Sequence, residues 1–119
     1  MATRSEVLEF LKKFRETAEH PSKLILLRKH PGSANAETLL ELGMTEAEVK
    51  GEIFRLSVED YSDGPQADRD REGQEVWLFC RKVLGKDIYI KLVLTTEGRT
   101  KVLSFHFPKH PMKRPFGIK

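Results

Sequence analysis

With 119 residues, 39% of them hydrophobic and 33% charged, and only 8 Gly and 6 Pro, the chain has the length and composition of one folded domain over residues 1–119, which excludes a disordered segment or two domains of ordinary size. The single cysteine, Cys80, excludes a disulfide framework or a thiolate metal cluster, and no apolar run reaches the ~18 residues of a membrane span, so a reducing cytoplasm without export is expected. The net charge of +3 is unevenly spread, ten Lys/Arg against three Asp/Glu over residues 75–119 and 11 against 15 over residues 1–74, which points the C-terminal part at a polyanion.

In chain order, Val7, Phe10, Leu11, Phe14 and Ala18 recur at helical spacing behind the capping box Thr3-Arg4-Ser5-Glu6, so residues 4–18 are expected to form an amphipathic helix that His20-Pro21 ends. Lys23 to Lys29, centred on Leu24-Ile25-Leu26-Leu27 and bounded by Pro21 and His30-Pro31-Gly32-Ser33, reads as a strand. Asn35 is placed to cap a short helix over Ala36 to Leu42, with Gly43 as its left-handed end. A second capping box, Thr45-Glu46-Ala47-Glu48, opens a third helix. Met44 and Val49 form a hydrophobic staple across its start, and Val49, Ile53 and Leu56 its buried stripe. Ser57 to Tyr61 adds one more helical turn. Ser62 to Gln74 is polar and densely charged and reads as an exposed loop, either mobile or functional.

Three strands in hairpin succession follow, Glu75 to Lys82, Asp87 to Thr95 and Arg99 to Phe107, with turn signals at Leu84-Gly85-Lys86 and Glu97-Gly98. Pro108 to Lys119 carries three prolines and four Lys/Arg with no acid, which predicts a basic tail lying over the surface.

Side chains alternate along a strand, and this sorts the sheet into two faces. In the middle strand Ile88, Ile90, Leu92 and Leu94 point to the core, and Asp87, Tyr89, Lys91, Val93 and Thr95 point away. In the last strand Leu103, Phe105 and Phe107 form the apolar set and Val102, Ser104 and His106 the opposite one, so Tyr89, Lys91, Ser104 and His106 are expected on one open face. RNA is cut without a metal when its own 2′-hydroxyl attacks the adjacent phosphate, a step that takes a base, an acid and a fixed cation. His106 exchanges protons near neutral pH, and Lys91 with Arg99, Lys101 or Arg81 has the charge to hold a phosphate. Tyr89 can donate a proton or stack on a base. The same residues also suit a sheet face that is merely solvated, and residue types alone leave both readings open.

Trp77 and Phe79 read as core-side residues and Cys80 as a small apolar group. His20, His30 and His110 each adjoin a proline, and no HxH or HxxxH spacing occurs, so neither a metal site nor another cofactor is expected.

From about Leu42 to Phe107, a capped helix, Leu56-Ser57-Val58-Glu59-Asp60-Tyr61, Glu75-Val76-Trp77, Ile88-Tyr89-Ile90-Lys91-Leu92 and Leu103-Ser104-Phe105-His106 follow in an order and spacing that resembles the MqsR family of type II toxins, which are RelE-like mRNA interferases. The most specific pieces are the Tyr-x-Lys-Leu of the central strand and the Ser-Phe of the last. The resemblance implies an α+β fold with N-terminal helices packed on a curved antiparallel sheet. It implies a cytoplasmic toxin-antitoxin system, ribosome-independent cleavage of mRNA by an endoribonuclease, and a cognate antitoxin that usually bears a zinc-binding domain.

By position, the family's active-site tyrosine falls on Tyr89, and its lysine after Ser-Phe falls on His106. The family's lysine near the end of the short helix meets Tyr61-Ser62-Asp63, its glutamine after the tryptophan meets Leu78, and the tail beyond Phe107 has no counterpart. The expected catalytic residues are therefore Tyr89, His106 and Lys91, with Arg81, Arg99 and Lys101 on RNA phosphates and no membrane partner. The rival expectation is a non-catalytic RNA-binding or protein-interaction module that uses the same basic face.

Overall fold

The computed structural model describes residues 1–20, 32–68 and 73–117, together with the backbone of 24–26. Its architecture is α+β. Helices α1 (Arg4–Ala18), α2 (Ala34–Leu42) and α3 (Glu46–Phe54) and a 3-10 turn (Val58–Asp60) accompany a five-stranded sheet. The strands are β1 (Leu24–Leu26), β2 (Tyr61–Ala67), β3 (Glu75–Val83), β4 (Lys86–Leu94) and β5 (Thr100–His106), in the spatial order β1-β5-β4-β3-β2. The last four pair antiparallel, and β1 lies parallel to β5. None of the described helices is long and apolar enough to cross a membrane.

Local sequence accounts for most of these boundaries. Both capping boxes form, Thr3 with Glu6 and Thr45 with Glu48, each side chain satisfying a backbone N–H that a helix start leaves without a partner. Gly43 closes α2 at φ 67°, a left-handed conformation that costs glycine little. The cap at the other end of α2 is Ser33 rather than Asn35: the Ser33 hydroxyl accepts from the Ala36 N–H, and the helix already includes Asn35. That leaves the Asn35 amide free for β5, where it accepts from the Phe105 N–H and donates to the Leu103 carbonyl. The strand expected over Lys23 to Lys29 is present at Leu24–Leu26, and its remaining residues lie outside those described, as do the His30-Pro31 pair and residues 69–72.

The core forms where the stripe of α1 (Val7, Phe10, Leu11, Phe14) meets one face of the sheet (Phe79, Ile88, Ile90, Leu92, Phe105), with Val49, Ile53 and Leu56 closing one side. Phe10 stacks on Trp77 at 4.4 Å between centroids, which confirms Trp77 and Phe79 as core-side residues. Arg15 of α1 donates to the carbonyls of Phe54 and Leu56, satisfying backbone acceptors at and just past the end of α3.

Two further expectations change. Ser62 to Ala67 is not a loop but the greater part of β2, an edge strand whose pairing with β3 is interrupted by two register shifts. Ser62 is buried, and beyond Tyr61, which anchors the start of β2 in the core, the strand carries no large apolar side chain. Val102 belongs to the core: Lys91 pairs with Ser104 but Leu92 pairs with Val102, so Leu103 is an extra residue that reverses the facing of everything before it. The tail lies over the sheet and is anchored there, because Phe116 packs against the core and stacks on Tyr61 with 5.7 Å between centroids.

Candidate active site

The sheet face turned away from α1 carries the polar groups. Tyr89 of β4 lies directly opposite His106 of β5, and Lys91 lies opposite Ser104. Across the other edge of β4, Lys91 faces Leu78 and Tyr89 faces Cys80. The alternation therefore brings Tyr89, Lys91, Ser104 and His106 together as the sequence predicts. All four line one open cleft of about 680 Å³. Cys80 shares this face but is buried, which pushes its thiol above the ordinary range and makes it a poor nucleophile.

Tyr89 and His106 stack, with ring centroids 5.0 Å apart and planes 13° from parallel. The His106 Nδ1 lies 2.9 Å from the Phe107 carbonyl oxygen. A carbonyl only accepts, so Nδ1 holds a proton, and in the matching neutral tautomer Nε2 is the acceptor. The Tyr89 phenol is partly withdrawn from water, and this burial raises its pKa above the usual value, so near neutral pH it is a hydrogen-bond donor. Lys91 has no carboxylate within ion-pair distance among the described residues, which leaves its ammonium available to a ligand.

The remaining lining was not foreseen. Ser62 and Asp63 of β2 form one side, and Pro108, Lys109, His110, Pro111, Met112 and Lys113 of the tail form a wall over the sheet. Lys113 Nζ lies 3.3 Å from Asp63 Oδ2. Leu78 and, of the stretch Tyr61-Ser62-Asp63, Ser62 and Asp63 line this cleft, while Tyr61 belongs to the core. His110, set aside as a loop histidine, lines it too.

The three cations expected on phosphates are not gathered here. Arg81 lies on the core side of the sheet, its Nε 2.8 Å from Glu52 Oε1 and its Nη1 3.2 Å from Asp60 Oδ2. Burial works against its charge, but the two carboxylates outweigh that and hold the guanidinium firmly protonated. With Nε and Nη1 held by these partners on the core side of the sheet, Arg81 ties β3 to α3 and to the 3-10 turn and does not reach the cleft. Lys101 pairs with Val93, on the face of Tyr89 and Lys91 but one step beyond the cleft, about 7 Å from Lys91 along the strand. Arg99 is exposed in the turn before β5, farther still.

Compared with protein-family models, with curated proteins and with solved structures, the chain gives no match.

Proposed function

We propose that the chain is an mRNA-cleaving endoribonuclease toxin of the RelE-like kind, as its resemblance to the MqsR family implies. The observation that carries this reading is the facing pair Tyr89 and His106 with Lys91 beside it in one open, cation-lined cleft. In the proposed reaction Nε2 of His106 takes the proton of the ribose 2′-hydroxyl, and O2′ attacks phosphorus. Lys91 offsets the charge that builds on the non-bridging oxygens. The bond from phosphorus to O5′ breaks, and the Tyr89 phenol gives its proton to the departing oxygen. The products are a 2′,3′-cyclic phosphate and a free 5′-hydroxyl, so neither an oxidant nor a metal-bound water enters the balance.

The same reading implies a cognate antitoxin, of the zinc-domain kind usual for the family, and action in the cytoplasm. Lys101, one step along the same face from Lys91, is a cation placed to take the part on RNA phosphate that Arg81 does not fill.

A second reading, a non-catalytic RNA-binding module, is favoured by the cleft residue Leu78 and the stretch Tyr61-Ser62-Asp63, which meet the glutamine and the lysine of the family pattern. Incubating the pure protein with mRNA in excess EDTA separates the two. Fragments ending in cyclic phosphate support the nuclease. Salt-sensitive binding of RNA that stays intact replaces it with the binding module.

A further inference from the structure

Residues 108–117 leave β5 beside His106 and finish at the start of β2, three strand spacings away, about 14 Å across the sheet. Two contacts fix the far end. Arg114 Nη2 lies 3.2 Å from Asp60 Oδ1, and Phe116 stacks on Tyr61, its ring also lying under the Arg4 guanidinium, whose Cζ is 5.4 Å from the ring centroid. A segment pinned at both ends is a fixed strap, and its middle, Pro108 to Lys113, is one wall of the cleft.

The strap brings charge with it. Lys109 and Lys113 join Lys91, and among the described residues Asp63 is the one carboxylate that lines the cleft. Asp63 is itself well occupied: burial works against its charge, but the Gly64 N–H at 2.8 Å and the Lys113 ammonium outweigh this and hold its carboxyl below the ordinary range. Lys113 remains 62% exposed beside it. An ion pair so exposed contributes little to folding, and its ammonium is free to meet a second anion. Asp63 lies on β2, two strands from Tyr89 on β4, about 10 Å, which is too far to share the phosphate held between Tyr89 and His106.

The geometry points to Lys113 as a second phosphate contact, delivered by the strap, that holds single-stranded RNA at a phosphate flanking the one cut. This rests on the reading that the cleft takes RNA.

The test is binding of a labelled single-stranded 2′-O-methyl RNA oligonucleotide, which lacks the attacking hydroxyl, across a salt series. Loss of one single-strand phosphate contact lowers the slope of log K against log salt by about 0.7, so Lys113→Ala is expected to show that drop and to bind roughly tenfold more weakly at low salt. Lys113→Arg keeps the charge and keeps the slope. Lys12→Ala, on the exposed side of α1, changes neither, and all three variants melt with the wild type. A Lys113→Ala slope equal to that of wild type or of Lys12→Ala overturns the inference, and if the wild type still cleaves mRNA the nuclease reading stands without it. Failure of the wild type to bind the oligonucleotide overturns both.

Discussion

Tyr89 and His106 are directly opposed across β4 and β5, and their rings lie nearly parallel at 5.0 Å. Opposed residues are the closest side-chain neighbours that an antiparallel pair provides, so register rather than a chance rotamer sets this spacing. Tyr89→Phe keeps the ring and removes only the hydroxyl, so its melting should stay within about 0.5 kcal/mol of wild type. If the phenol supplies the proton, cleavage by Tyr89→Phe falls ~10²–10⁴-fold, and His106→Ala falls by a comparable factor. Because the two act on one event, the double variant should be little worse than the poorer single one. A Tyr89→Phe protein that cuts mRNA at the wild-type rate removes the phenol from the mechanism.

Burial lifts the Tyr89 phenol above its ordinary pKa of 10.0. Folded and unfolded chains both carry this proton at neutral pH, so the shift contributes nothing there. As pH climbs past 10.0, the unfolded chain releases its proton first and the folded state loses stability until its own higher pKa is passed. The Cys80 thiol, lifted by burial from 9.0, acts in the same direction. Urea midpoints should therefore fall with rising alkalinity, and fall less in Tyr89→Phe than in wild type. Parallel curves for the two proteins would contradict the burial of the phenol.

Arg81 joins β3 to α3 and to the 3-10 turn, and through Asp60 it shares a carboxylate with Arg114 of the tail. Asp60 also accepts from the Ser57 N–H. Arg81→Ala takes one cation from each of two carboxylates, leaving Asp60 to Arg114 and Glu52 to Arg55, at an expected cost of about 1.5–3 kcal/mol in chemical denaturation. The salt slope of RNA binding should not change under conditions where the variant is folded. A slope reduced as in Lys113→Ala would return Arg81 to the RNA surface.

Much of this site is legible in the sequence because its central strands obey simple alternation: Ile88, Ile90 and Leu92 fix one face, so Tyr89 and Lys91 fall on the other. The same parity groups Arg81 with Trp77 and Phe79, a signal that it sits on the core side, but its partners Glu52 and Asp60 are distant in sequence and follow from no local rule. Strand β2 is hidden because Ser62-Asp63-Gly64-Pro65-Gln66 has no apolar alternation, and two register shifts break what pattern an edge strand has. The bulge at Leu103 leaves composition untouched while reversing the facing of Val102. In the tail, the prolines argue correctly against a strand, yet Phe116 is the kind of residue that anchors a segment. Its stacking on Tyr61 is what turns a basic tail into a wall of the cleft.

Gly64 gives a prediction that tests how closely β2 must approach β3. Its φ of 110° is open to glycine and strained for any other residue, and a Cβ built there would lie 2.7 Å from the Val76 carbonyl oxygen and 3.1 Å from the Trp77 Cα. Those neighbours are backbone in the middle of the ladder, so relief requires β2 to move away from β3. Gly98, in the turn between β4 and β5, also has a positive φ, 78°, but nothing lies within 4 Å of its would-be Cβ. Gly98→Ala should therefore cost only about 1 kcal/mol of backbone strain, and Gly64→Ala about 2–4 kcal/mol, strain and overpacking together. Asp63 bonds the Gly64 N–H and faces Lys113, so displacement of β2 also shifts that side of the cleft, and RNA binding by folded Gly64→Ala should weaken where Gly98→Ala binds as wild type. Equal melting of the two alanine variants would mean that β2 has room to spare against β3, and that Asp63 is held less closely than its hydrogen bond to Gly64 implies.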